Sequence, residues 1–115
     1  MESADEKQIK FALLRIKEVL QDYPNKNCIF LTDREKNEAT LIKLGYMPQH
    51  AIRDILKLTY KDYIGGPEEN KSKSGNRKGE IWKYKTNIQG LDIYIKCQLI
   101  DPPLSVTIIS FHEDS

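Results

Sequence analysis

The chain has 115 residues, 39% of them apolar and 30% charged, with a formal net charge of +1. That size fits one domain able to bury about two-thirds of its unfolded surface, and no run approaches the ~20 apolar residues of a membrane span. The acidic opening "MESADEKQIK" is unlike a signal peptide, and two distant cysteines in "NCIFL" and "IKCQL" fit buried thiols of a cytoplasmic protein, not a disulfide framework.

In chain order, Ile9, Leu13, Ile16 and Leu20, with Ala12 and Val19 beside them, form one apolar stripe and predict a first helix that ends at "DYPN". "CIFL" (28–31) reads as a short strand or a buried connector. Thr32-Asp33-Arg34-Glu35 has the pattern of a capping box opening a second helix, which runs to Gly45 as its C-terminal stop. Pro48 fits the first turn of a third helix, whose buried side would be Ala51, Ile52, Ile55 and Leu56. "LTYKDY" predicts one more short helical turn. Residues 65–79, "GGPEENKSKSGNRKG", read as a long basic loop that lacks the spacing of a nucleotide-binding P-loop.

Three strands follow at about 80–86, 91–100 and 104–112, joined by "NIQG" and by "DPPL". The expectation is a single α+β domain over 1–115, with N-terminal helices at about 4–63 packed on a C-terminal antiparallel β-meander at about 80–112. With "NIQG" as a four-residue loop, Thr86 stands opposite Leu91, Trp82 opposite Ile95 and Lys83 opposite Tyr94. One face then carries Lys83, Lys85, Tyr94, Lys96 and Gln98; Trp82 and Tyr84 belong to the core. The last strand, "LSVTIISFH", is apolar on both sides, so alternation leaves the side taken by His112 open.

The near-neutral total hides a basic block. Residues 71–100 hold seven basic groups (Lys71, Lys73, Arg77, Lys78, Lys83, Lys85 and Lys96) against two acids, a local +5. Screening confines each charge's reach to roughly 10 Å, so such a patch can hold phosphates on a neutral protein; a solvated strand face is the plainer reading. Cys28, Cys97, His50 and His112 show no metal-ligand spacing, and no metal or cofactor is expected. Nothing local activates either thiol, and core packing suits both. Acids on helix surfaces and in the "HEDS" tail are explained by solvation.

Lys83, Tyr94, Lys96 and His112 carry more chemistry. RNA is cut without metal when its 2′-hydroxyl attacks the adjacent phosphate. An imidazole can move the proton, lysines can stabilise the phosphorane, and a tyrosine can bond a phosphate oxygen or stack a base.

The segments "LTYKDYIGGP" (58–67), "EIWKY", "GLDIYIKCQLI" and "ISFHED" (109–114) resemble, in order and spacing, the motility quorum-sensing regulator (MqsR) toxin family. The resemblance implies a RelE-like fold and a type II toxin: a small endoribonuclease that cuts mRNA, with or without the ribosome, and is neutralised by a cognate antitoxin. It implies site residues at Tyr94 and His112, with Lys83 where the family's better-known branch has glutamine. That branch's first active-site lysine falls at Gly65 here, leaving Lys61 or a lysine of 71–78 to replace it. The family pattern also requires Tyr94 and His112 on one sheet face, with Ile109 and Phe111 joining Trp82 in the core. The catalytic set expected is therefore His112, Tyr94, Lys83 and Lys96, with Lys71, Lys73, Arg77, Lys78 and Lys85 on the RNA backbone. The alternative is a non-catalytic basic module that binds an acidic protein.

Overall fold

A computed structural model describes residues 4–69 and 79–114. Three helices, α1 (Glu6–Leu20), α2 (Glu35–Leu44) and α3 (Pro48–Ile55), cover one face of a five-stranded sheet. Its strands are β1 (Cys28–Phe30), β2 (Tyr63–Glu69), β3 (Glu80–Ile88), β4 (Leu91–Ile100) and β5 (Ser105–Glu113), in the order β1-β5-β4-β3-β2. The α+β expectation therefore holds, but the sheet is mixed, because β1 runs parallel to β5. The start of the expected basic loop is also corrected. Residues 65–69 belong to β2, which pairs antiparallel with β3.

The predicted stripe of α1 is its buried face: Ile9, Ala12, Leu13, Ile16, Val19 and Leu20. Its start is locked by a reciprocal bond pair, in which Gln8 N–H donates to the Asp5 carboxylate at 2.8 Å and Asp5 N–H to Gln8 Oε1 at 2.9 Å. This stripe meets Trp82, Tyr84, Ile93, Ile95, Cys97, Leu99, Val106, Ile108 and Phe111 of the sheet. Each such aliphatic or aromatic side chain contributes about 1.5–3 kcal/mol when fully buried. In α3, Ala51, Ile52 and Ile55 are buried as expected, whereas Leu56 is only partly so. The predicted turn at "LTYKDY" is the 3-10 helix Tyr60–Asp62, capped by Thr59.

The β3–β4 hairpin closes through two residues, not four. Gln89 and Gly90 both have positive φ (53° and 83°), the backbone of a type I′ turn. Ile88 therefore faces Leu91, and the expected register is displaced by two: Trp82 faces Cys97, Lys83 faces Lys96, Tyr84 faces Ile95 and Lys85 faces Tyr94. Because side chains alternate with period two, a shift of two changes every partner but no face. Lys83, Lys85, Tyr94, Lys96 and Gln98 keep their common side.

Gly66 brings β2 close to β3. Its φ is +107°, and a Cβ there would lie 2.4 Å from the Ile81 carbonyl oxygen and 3.1 Å from Trp82 Cα. Gly66→Ala is thus expected to loosen β2 from β3 and to destabilise the fold by about 1–3 kcal/mol; a chemical-denaturation midpoint equal to wild type would refute this.

β1 ends opposite Ile108, so the outer edge of β5 beyond that point has no strand neighbour among the described residues. α2 covers it with side chains. Asn37 Nδ2 donates to Leu31 O (2.8 Å) and Ile109 O (2.9 Å), while Phe111 N–H donates to Asn37 Oδ1 (3.0 Å). Glu113 N–H donates to Thr40 Oγ1 (2.9 Å). Asn37 and Thr40 are buried polar residues whose bonding groups serve an otherwise open edge.

Candidate active site on the open sheet face

Sheet parity decides where His112 points. Lys96 pairs with Ser110 and Cys97 with Ile108, so Ile109 is an extra, bulged residue. Val106 and Ile108 face the helices; unbroken alternation would send residues 110 and 112 the same way. The bulge reverses the parity: Phe111 enters the core, and His112 turns to the open face directly opposite Tyr94. The two rings lie with centroids 5.5 Å apart at 45°. Ile109 itself is only partly buried, a correction to its expected place in the core, and Ile108 fills that role.

His112 Nδ1 lies 3.0 Å from the carbonyl oxygen of Glu113. A carbonyl can only accept, so Nδ1 carries the proton in this bond, and in the neutral ring Nε2 keeps its lone pair. That nitrogen is the one able to take a proton from a ligand. The Tyr94 phenol is pushed above its usual range, chiefly by burial, with Lys83 opposing and Glu68 and Asp114 adding to the rise. It remains a hydrogen-bond donor at neutral pH.

The cations of the face differ in how committed they are. Lys83 bonds Glu68, which arrives on β2, and this bond raises the ammonium above its usual range. Lys85 Nζ sits 2.8 Å from Asp114, and that contact holds the Asp114 carboxyl below the usual carboxylate range. The second pair therefore persists through neutral pH and is lost only as acidity reaches the lowered value. Both contacts are partly solvent-exposed, so each contributes little to stability. Lys96, between Lys83 and Ser110 in the register, has no ion-pair partner among the described residues. Lys61 is exposed in the 3-10 turn. Lys71, Lys73, Arg77 and Lys78 lie outside the described residues.

Other candidates fall away on geometry. Burial pushes the Cys28 thiol up to about 11 and Cys97 up to about 12, which leaves both protonated and unreactive at neutral pH. His50 Nδ1 accepts from Met47 N–H (2.9 Å) at the start of α3. Among the described residues no three His, Cys, Asp or Glu side chains converge, and no helix is long and apolar enough to cross a membrane. Trp82 is 3% exposed and belongs to the core. A cavity of about 430 Å³ lies between α1 and the strand ends, lined by Phe11, Arg15, Trp82, Leu99 and Asp101 among others. It contains none of the cluster around His112.

A smaller cavity, about 250 Å³, does reach His112. It is lined by Arg34, Glu35, Lys36, Asn37, Ser110 and His112. Nothing in the local sequence marks Arg34, Lys36 or Ser110 as neighbours of that imidazole; the packing of α2 along the β5 edge brings them there. The expected Thr32 capping box is not formed. Arg34 occupies the cap position and makes no side-chain cap bond.

Compared with family models, with curated proteins and with solved structures, the chain has no significant match. The likeness to the MqsR toxins rests on the motifs quoted above.

Proposed function

We propose that this chain is a metal-independent endoribonuclease of the RelE-like, MqsR-type toxin class, acting on mRNA and held in check by an antitoxin. One observation carries the reading: His112 and Tyr94 are direct cross-strand partners on the open face, with Nδ1 of the imidazole against the Glu113 carbonyl, its Nε2 not engaged by that contact, and Lys96 beside them. His112 Nε2 takes the proton of the 2′-hydroxyl as its oxygen attacks phosphorus. Lys96 and the Tyr94 hydroxyl stabilise the charge on the phosphorane. The bond to the 5′ oxygen breaks, water protonates that oxygen, and the imidazolium returns its proton to solvent. The products are a 2′,3′-cyclic phosphate and a 5′-hydroxyl.

The family's missing lysine has a physical counterpart. Gly65 stands opposite Lys83 in the β2–β3 register, and a Cβ at Gly65 would meet Lys83 Cδ at 3.6 Å. The Lys83 side chain thus runs across the position where that branch carries its own lysine. A cation supplied by the adjacent strand serves the same phosphate.

The test is purified protein on a synthetic RNA in the presence of a chelator. Cleavage leaving a 2′,3′-cyclic end supports the reading. Intact free RNA together with cut translating messages makes the enzyme ribosome-dependent, and no cleavage in either setting overturns it. The second reading, a non-catalytic basic module that binds an acidic protein, is weakened by the carboxylates on Lys83 and Lys85, which neutralise much of the face.

Those carboxylates give a separate expectation. Glu68→Gln frees the Lys83 ammonium, so RNA should bind more tightly at low salt, with the log-log salt dependence steeper by about 0.7 for one added phosphate contact. An unchanged slope would mean that Lys83 does not meet the backbone.

A further inference from the structure

Three polar residues are buried among the described ones: Asn37, Thr40 and Ser110. The first two serve the edge of β5. Ser110, 8% exposed, has no hydrogen-bond partner among the described residues, and it lines the cavity of about 250 Å³ that it shares with His112 and the start of α2. Further donors beside it are open among the described residues. With no side-chain cap on α2, the amides of Glu35, Lys36 and Asn37 find no acceptor among the described residues; Glu38 N–H is the first to be satisfied, by Arg34 O at 2.9 Å. Arg34 spends one donor on Ile109 O (3.4 Å) and keeps its others, and Lys36 is exposed at the rim.

From this arrangement we infer that the cavity is a phosphate subsite, holding a backbone phosphodiester of the RNA strand next to the one being cut. The inference rests on the nuclease reading, which sets His112 at the reacting phosphate. A helix start offers amides and a partial positive charge, the Ser110 hydroxyl offers one more donor from below, and Arg34 and Lys36 bring full charges. Glu35 also lines the cavity, so the two cations stand against one carboxylate. A local excess of one positive charge suits a singly charged phosphodiester better than a doubly charged free phosphate.

The experiment follows the backbone amides of the full chain by NMR while a short 2′-O-methyl RNA is added, which cannot be cut through its blocked 2′ oxygen. The Glu35 and Lys36 amides should shift on binding. The exposed double variant Arg34→Gln/Lys36→Gln should bind several-fold more weakly, with a salt slope shallower by about 0.7 for the lost phosphate contact. Ser110→Ala should also weaken binding, without changing the salt slope. Inorganic phosphate is the second probe; shifts with phosphate but none with RNA overturn the phosphodiester assignment. RNA that binds without moving these amides, or equally well to wild type and the double variant, overturns the subsite. Amide shifts with the modified RNA but no cleavage of the unmodified RNA, either free or under translation, would leave the subsite standing and bring down the nuclease reading alone.

Discussion

Replacing His112 by alanine is expected to lower RNA cleavage by about 10²–10⁴-fold, the usual loss when a positioned proton carrier is removed, and to relieve growth arrest when the protein is expressed alone. The fold should survive. The imidazole is half-buried on the open sheet face, between the Tyr94 ring and the cavity at the start of α2, so the truncation opens no cavity in the core. A change in stability within about 1 kcal/mol is expected for such a site. Tyr94→Phe separates the two roles: it keeps the ring beside His112 and removes only the donor, so a loss of roughly 10-fold to 10³-fold is expected, in line with one electrostatic contact to the phosphorane. Added imidazole should restore part of the activity of the alanine variant and none of the Tyr94→Phe loss. An alanine variant that folds and cuts within about tenfold of wild type removes His112 from the chemistry.

Much of this face was legible from residue alternation alone. Lys83, Tyr94 and Lys96 share a side under either hairpin register, because the true register differs from the expected one by two positions. The two-residue turn carries a weak sequence signal because Gln89, not asparagine or aspartate, precedes Gly90 at the left-handed position. β2 was hidden inside a glycine-, glutamate- and lysine-rich stretch with no apolar alternation; its pairing to β3 is a tertiary decision, helped by the close approach at Gly66. With β2 came Glu68, so the partner that restrains Lys83 could not be anticipated. The side taken by His112 was illegible for a different reason. One bulged residue reverses sheet parity, and "VTIISFH" is equally apolar before and after it. The capping pattern at Thr32 misled because helix starts can be left open. Here the uncapped first turn lines the cavity that holds Ser110 and His112.

If the bulge at Ile109 sets the direction of His112, then the residue that fastens the bulge should control activity without touching substrate. Asn37 is that residue: it is 1% exposed and bonds the carbonyl of the extra residue, Ile109 O, and the N–H of Phe111 that follows the bulge, together with Leu31 O. Asn37→Ala strands these buried groups, each costing about 1–3 kcal/mol when unsatisfied. A total loss of about 2–4 kcal/mol is expected, since Arg34 still reaches Ile109 O. Asn37→Asp is the sharper probe, because it keeps the size and the acceptor for Phe111 N–H but aims a carboxylate at two carbonyl oxygens. Burial and those carbonyls raise the folded-state pKa of the new acid above its unfolded value. Its deficit relative to wild type should therefore grow as pH rises through the carboxylate range and shrink on acidification, when the protonated acid can donate again. Urea unfolding at several pH values measures this directly. Cleavage by Asn37→Ala, assayed well below its unfolding transition, should fall by at least the tenfold that a misplaced proton carrier costs. A variant that loses stability yet cuts like wild type would show that the strand keeps its bulge, and His112 its outward side, without the Asn37 amide.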